Sequence, residues 1–263
     1  MLNTTLNTYS VFTAHDNTTW GDILSALQAY RTRLSNALNA AAQLDKCSSH
    51  AHVTQLRDLL ADPEPFVRES AARPLARLQG IEALPALLCA MRECEQNGNP
   101  SRPLSNIVAQ VVRLNATQVA PLLQNMLNDR DSLARQDAAW CYGFLDEVIA
   151  QAPLLIALRD SDMTVRIAAA NALRSFSNPT ILSALCHALF DPVEQVRVAV
   201  AATLSQTATV DTISALSRAQ RDNSQVVRVF ANYALKRLGH TTVSPLPVTQ
   251  KPARAIWKLF TRV

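Results

Sequence analysis

The chain has 263 residues, of which 48% are hydrophobic and only 17% charged, so it is long enough to bury a continuous core. Few glycines (5) and few aromatic residues (5%) favour helices packed through Ala and Leu over a β fold. The net charge of +4 is uneven, because residues 213–263 carry nine Lys and Arg against one Asp and the remaining residues are net acidic. This distribution argues against a nucleic-acid groove along the chain.

The N-terminal residues 1–18 show no apolar periodicity and are rich in Thr and Asn. They lack the basic and apolar layout of a signal peptide, and no apolar run in the chain is long enough to span a membrane. The five cysteines show no paired framework, and most fall on predicted core faces, as expected of reduced thiols. We therefore expect a cytoplasmic protein with a disordered segment over residues 1–18.

Residues 19–46 predict one long amphipathic helix. Apolar side chains recur at steps of three or four from Ile23 to Leu44, and Thr19 followed by Asp22 fits a capping-box start. We expect this helix to cap the edge of the repeats that follow; a coiled-coil or dimerisation helix is the alternative. The loop after it holds a Cys and two His, a weak metal signal, so we expect a polar turn and no metal site.

One phrase is repeated at a fixed spacing through the second half of the chain. Its Asp residues lie 31 positions apart, and each is followed six residues later by Arg and then by an Ala-rich apolar run. A further copy begins at Asp62. A period of this size predicts stacked helix pairs. We expect six pairs over residues 53–239, each with a first helix that ends near the Asp and a second that begins after it.

The copy that reads Asp191-Pro192, then Val196-Arg197 and Leu204 resembles a HEAT repeat. The short unit and Ala-rich second helix resemble the bacterial and phycobilin-lyase-like subgroup. The resemblance implies an all-α fold, a right-handed α-solenoid of about six HEAT-like helix pairs with an N-terminal capping helix.

The resemblance also implies that each Asp and Arg bond across neighbouring turns in a ladder. The chemistry agrees, because a short acid can cap the second helix and the five donors of Arg can reach turn carbonyls or the next Asp. We therefore assign these residues a structural role and no catalytic one. They are Asp62, Arg68, Asp129, Arg135, Asp160, Arg166, Asp191, Arg197, Asp222 and Arg228.

Counting from each Arg identifies a candidate binding surface. Positions three and seven residues after it are expected in the core, whereas positions one, five and eight residues after it share another side of the second helix. In repeats of this type the second helices line the concave wall, and apolar surface with aromatic anchors is typical of protein-binding sites. The alternative is that these side chains pack into neighbouring repeats. We define the candidate wall as Trp140, Ile167, Asn171, Arg174, Val198, Val229, Tyr233 and Lys236.

Two enzyme interpretations stay open beside the favoured one, a non-enzymatic scaffold or adaptor that binds a protein or peptide. HEAT-like DNA glycosylases use an acid among aromatic residues, and Asp137 lies near Trp140 and Tyr142. However, the acidic body is a poor background for nucleic acid. The second enzyme interpretation is a phycobilin-lyase-like enzyme or accessory subunit, but no nucleophile or bilin-contacting motif is evident. We expect no catalytic residue, cofactor or metal.

The C-terminal end predicts a separate attachment segment. Residues 240–252 form a Pro-rich linker, and residues 253–263 form a basic amphipathic segment. Such a segment can seal the last repeat, dock on a partner or contact an anionic membrane surface, and the sequence leaves these three open. Its side chains of interest are Arg254, Ile256, Trp257, Lys258, Phe260 and Arg262.

Overall fold

Helices account for all the regular secondary structure that a computed structural model describes, over residues 20–28, 34–46, 50–98 and 101–240. The predicted all-α fold of HEAT-like helix pairs is confirmed. None of these helices is long and apolar enough to cross a membrane. In chain order they are α1 (Trp20–Gln28), α2 (Leu34–Asp45), α3 (Val53–Leu60), α4 (Pro65–Gln79), α5 (Leu84–Gln96), α6 (Arg102–Leu114), α7 (Ala116–Leu127), α8 (Ser132–Tyr142), α9 (Glu147–Ala157), α10 (Met163–Ala172), α11 (Pro179–Ala188), α12 (Glu194–Thr207), α13 (Ile213–Ala219) and α14 (Gln225–Arg237).

The chain divides into two compact units, residues 1–115 and 116–263. In the first unit, α3 pairs with α4 and α5 pairs with α6, while α4 also contacts α6. At its N-terminal end α1 and α2 pack against each other and both contact α4. The prediction of one continuous helix over residues 19–46 is therefore wrong. Apolar residues at steps of three or four are expected in one long helix and also in two shorter helices, so this pattern cannot distinguish the two.

Residues 116–240, the described part of the second unit, contain four helix pairs, α7 with α8, α9 with α10, α11 with α12 and α13 with α14. The second helices stack in the order α8, α10, α12 and α14, and the first helices stack in the order α7, α9, α11 and α13. Small residues let the second helices approach closely. A Cβ added to Gly143 would lie 3.0 Å from the Cβ of Ala172 on the neighbouring helix, so a methyl group there would require α10 to shift by a few tenths of an ångström.

The core of the second unit follows the predicted positions. The residues three places after each Arg are fully buried, and those seven places after it are at most 1% exposed. Full burial of a side chain the size of Val or Leu contributes about 1.5–3 kcal/mol relative to an exposed one, and Ala contributes less. These positions are Ala138, Ala169, Val200 and Ala231, and Tyr142, Leu173, Leu204 and Leu235.

The cysteines differ from one another in exposure. Cys94 and Cys141 are buried as expected, whereas Cys186 is half-buried and Cys89 is exposed. Burial raises the pKa of the Cys141 thiol well above its ordinary value, and the nearby Asp137 carboxylate raises it further, so this thiol stays protonated. Cys47 lies outside the described residues.

Candidate functional site

The aspartates of the repeated phrase shape the turns between paired helices. Each carboxylate accepts a hydrogen bond from the backbone N–H two residues later, at 2.7–2.9 Å. The expectation that these aspartates cap the second helix is wrong, because the N-cap of each second helix is the residue two positions after the aspartate. The N-caps are Glu64, Asp131, Asp162, Val193 and Ser224. Asp131 and Asp162 fill that position in two repeats and accept the N–H of Leu133 and Thr164, at 3.0 and 2.8 Å.

Neighbouring turns of the second unit are joined by arginine–aspartate pairs, which we call rungs. At Arg166, Nε and Nη2 donate to the two carboxylate oxygens of Asp191 at 2.9 and 3.0 Å, while Nη1 donates to the carbonyls of Asp160 and Ser161 at 2.8 and 3.1 Å. The fork of Arg thus fits a carboxylate with two parallel bonds. Equivalent rungs join Arg135 to Asp160 and Arg197 to Asp222.

The rungs shift the titration of the carboxyl groups that they hold. Burial raises the pKa of Asp160, but the hydrogen bonds from Arg135 and from the Asp162 N–H outweigh it, so the pKa lies below its ordinary value. The same balance between burial and bonds from Arg197 lowers the pKa of Asp222. Both groups therefore stay ionised at neutral pH.

The first unit replaces the aspartate of a rung with a cysteine. Arg68 is 1% exposed, and its Nε and Nη2 both lie 3.3 Å from the sulfur of Cys94. Its Nη1 donates to the carbonyl of Asp62, as the other arginines do in their own turns. The sequence contains only an indirect indication of this contact. Cys94 lies 26 residues after Arg68, close to the 25 residues that separate the arginine and aspartate of each rung.

The candidate wall is most exposed at its C-terminal end, on α14. Tyr233 is 38% exposed, Lys236 is exposed, and Val229 between them and the turn is half-buried. At the other end of the stack, on α8, Trp140 is half-buried and meets the ring of Phe144 edge-on, with centroids 4.7 Å apart. The two ends of the wall therefore offer aromatic surface.

The middle of the wall is more closed than the sequence predicted. Val198 is only 6% exposed, and residues 198–205 of α12 are all buried, with α10 and α14 packed on either side. Ile167 and Asn171 on α10 and Arg174 in the 3₁₀ turn after it are half-buried, and Nη2 of Arg174 donates to Oδ1 of Asn171 at 3.4 Å. Because the small side chains of α12 sit between two neighbouring helices, this helix adds little accessible surface.

Asp137, the acid considered for catalysis, is 5% exposed. It lies on α8 two residues after Arg135, and its negative charge adds to the effect of burial in raising the pKa of the Cys141 thiol. The surrounding helices therefore cover most of its carboxylate. The enzyme interpretation that depended on it gains no support.

Two grooves that were not predicted from the sequence lie between first helices. A groove of about 850 Å³ runs between α9 and α11 beside Ile156 and His187, and one of about 410 Å³ runs between α11 and α13 beside Phe190 and Arg218. The guanidinium of Arg218 lies 4.2 Å from the ring centroid of Phe190, a cation–π contact. The surface formed by the first helices could have been predicted from the 31-residue spacing, because Ile156, His187 and Arg218 are also 31 residues apart.

Some predicted features cannot be placed. The linker and the C-terminal segment, from residue 241 onward, lie outside the described residues. His50–His52 form a short 3₁₀ turn before α3. In the part of the chain that the structure describes, no three His, Cys, Asp or Glu side chains are grouped to hold a metal ion.

One family model and several solved structures are similar to this chain. No curated protein matches the chain. Among solved structures, human deoxyhypusine hydroxylase in complex with glycerol is 19% identical over 85% of this chain and 86% of its own, with a TM-score of 0.41. A designed armadillo repeat protein is 17% identical over 82% of this chain and 99% of its own, with a TM-score of 0.39. The bacterial, phycobilin-lyase-like subgroup stays a prediction. Residues 151–236, which extend from within α9 to α14, match the family model of HEAT repeats.

Proposed function

We propose that the protein is a non-enzymatic scaffold or adaptor that binds another protein or a peptide along the candidate wall. The observation that carries the proposal is the exposed aromatic ring of Tyr233 beside Lys236 on α14. Tyrosine is a residue type that anchors protein interfaces, because it brings a large apolar area and a hydrogen-bonding hydroxyl. Rungs between consecutive turns hold the second helices in place, so that the anchor is presented from a rigid support.

Trp140 at the other end of the wall gives the proposal a second anchor. Its ring is half-buried and packed edge-on against Phe144, so that one face of an aromatic pair is available to a partner. A peptide that reached both anchors would cross α10 and α12. The half-buried polar pair of Asn171 and Arg174 would then supply hydrogen bonds along its path.

The test is affinity purification with the full chain as bait, followed by mass spectrometry. Tyr233→Ala and Trp140→Ala should lose partners that the wild type captures, because each removes an anchor without opening the buried core. Phe190→Ala is the matched control, since it removes an exposed aromatic side chain from the first-helix side. Retention of every partner by both wall variants would exclude the wall as the binding surface.

We further propose a cytoplasmic location and a second attachment through residues 253–263, whose basic and aromatic composition suits a partner groove or an anionic membrane surface. Truncation after Gly239 tests it. If the truncated protein keeps its thermal unfolding temperature but loses partners or binding to phosphatidylserine vesicles, the segment is an attachment point. Loss of folding would instead make it a cap.

A further inference from the structure

Arg228, on α14, is the arginine of the last copy of the repeated phrase. Arg228 repeats the first half of the arrangement seen in Arg135, Arg166 and Arg197. Its Nη1 donates to the carbonyls of Asp222 and Asn223 at 2.7 and 2.9 Å. Among the described residues, no carboxylate meets its Nε and Nη2. Hydrogen bonds within the turn therefore hold the guanidinium as in a rung, with the second half of the rung open.

The preceding rungs have an Asp 25 residues after the arginine, whereas the position 25 residues after Arg228 is Ala253. The carboxylate of Asp222 is already held by Arg197 at 2.8 and 3.0 Å. The fork of Arg228 is thus a preformed receptor for a carboxylate, with its orientation fixed before any ligand arrives. Such preorganisation reduces the entropy lost on binding.

The charge around Arg228 favours an acidic ligand. Residues 213–240 carry five Lys and Arg against one Asp. Arg221 is exposed in the same turn, and Lys236 and Arg237 are exposed at the end of α14. With Asp222 neutralised by its rung, the last repeat presents a positive field that raises the local concentration of anionic segments.

We propose that Arg228 binds an Asp or Glu carboxylate of an acidic segment of the partner protein, in the position that Asp160, Asp191 and Asp222 take on the preceding arginines. The inference rests on the proposed function, since it names the chemistry of that partner. It places the carboxylate contact at the turn before α14, on the same helix pair that carries Tyr233.

A peptide copied from the chain itself provides the probe. A fluorescein-labelled peptide, amidated at its C-terminus, takes the sequence of residues 189–196 with Gln in place of Glu194, Leu-Phe-Asp-Pro-Val-Gln-Gln-Val. Its one carboxylate is a turn aspartate of the type that the rungs use. Fluorescence anisotropy with the full chain should show that replacing its Asp by Asn weakens binding at least about tenfold. This comparison leaves the protein unchanged, so it does not depend on how any variant folds.

Variants of the protein then locate the contact. Arg228→Lys keeps the charge but removes the fork, and it should weaken binding of the Asp peptide about tenfold. Arg221→Gln removes one exposed cation from the same turn and should weaken it only about twofold. Circular dichroism melting curves identify a variant that has lost its fold.

Three outcomes would overturn the inference. They are equal binding of the Asp and Asn peptides, wild-type binding by a folded Arg228→Lys protein, and tighter binding of a peptide with phosphoserine in place of the Asp. The last would assign the fork to phosphate. These outcomes are independent of the proposed function, because partners that depend on Tyr233 and Trp140 could still be captured when the carboxylate contact fails.

Discussion

Arg68 directs Nε and Nη2 at the sulfur of Cys94, 3.3 Å from each, with the same two donors that meet an aspartate in the later repeats. A guanidinium that is 1% exposed must have acceptors, because burying an uncompensated charge is costly. Cys94 therefore serves as the acceptor of the first repeat, and its thiol is part of the framework of the first unit.

Removal of this sulfur should destabilise the first unit. We expect Cys94→Ala to lower the free energy of unfolding by about 3 kcal/mol, because it leaves a buried arginine with fewer acceptors and opens a small cavity. Cys89→Ala is the matched control on the same helix, since Cys89 is exposed, and should change stability by less than about 0.5 kcal/mol. Urea denaturation measures both. Equal effects of the two substitutions would show that the sulfur–guanidinium contact contributes nothing.

The contribution of one rung can be isolated by comparing two turn aspartates. Asp191 and Asp129 both accept an N–H within their own turn, at 2.8 and 2.9 Å. Asp191 also receives the fork of Arg166, while Asp129 is exposed and receives no arginine fork among the described residues. We expect Asp191→Ala to cost about 3 kcal/mol more than Asp129→Ala in chemical denaturation. A difference near zero would mean that the rung adds no net stability.

Acid should weaken the second unit through Asp222. Its pKa is lowered because bonds from Arg197 and the Ser224 N–H outweigh the effect of burial, which raises it. A carboxyl group of this kind contributes stability that is fully present above its unfolded pKa, near about 4, and lost as the pH falls through its lower folded pKa. We expect the difference in unfolding free energy between wild type and Asp222→Asn to narrow below about pH 4. A difference that stays constant with pH would contradict this assignment.

The close approach of α8 and α10 predicts a steric effect. A methyl group on Gly143 would lie 3.0 Å from the Cβ of Ala172 and 3.2 Å from the carbonyl oxygen of Trp140. Gly143→Ala should therefore destabilise the protein by about 1–3 kcal/mol, measured as a shift in the denaturation midpoint. The double variant with Ala172→Gly should lose less than the sum of the two single variants. Strict additivity would mean that the two helices can separate without cost.

The periodic spacing predicted the helix pairs of the second unit because an Asp–Arg phrase at a fixed interval fixes where each turn lies. It predicted the core as well, since positions such as Ala169 and Leu173 follow from helical geometry once the turn is known. The same reasoning failed before the first repeat. Residues 29–33 contain neither Gly nor Pro, so no local signal separated α1 from α2.

The candidate wall was harder to predict than the core. Position on a helix says which side a residue shares with others, but not how closely the neighbouring helices approach. Val198 illustrates this, because its place in the count is equivalent to that of Ile167 and Val229, yet it is buried while they are half-buried. The two grooves between first helices were not predicted for another reason, since only the second helices had been considered as a binding surface.

Every rung of the second unit joins residues that are 25 positions apart, and none requires a contact from a distant part of the chain. Such short-range pairing lowers the entropy lost in closing loops and favours fast formation of neighbouring repeats. A rung can form only when both adjoining turns are in place. The rungs therefore couple each repeat to the next as it folds, so that the array gains its stability between neighbours as well as within each pair of helices.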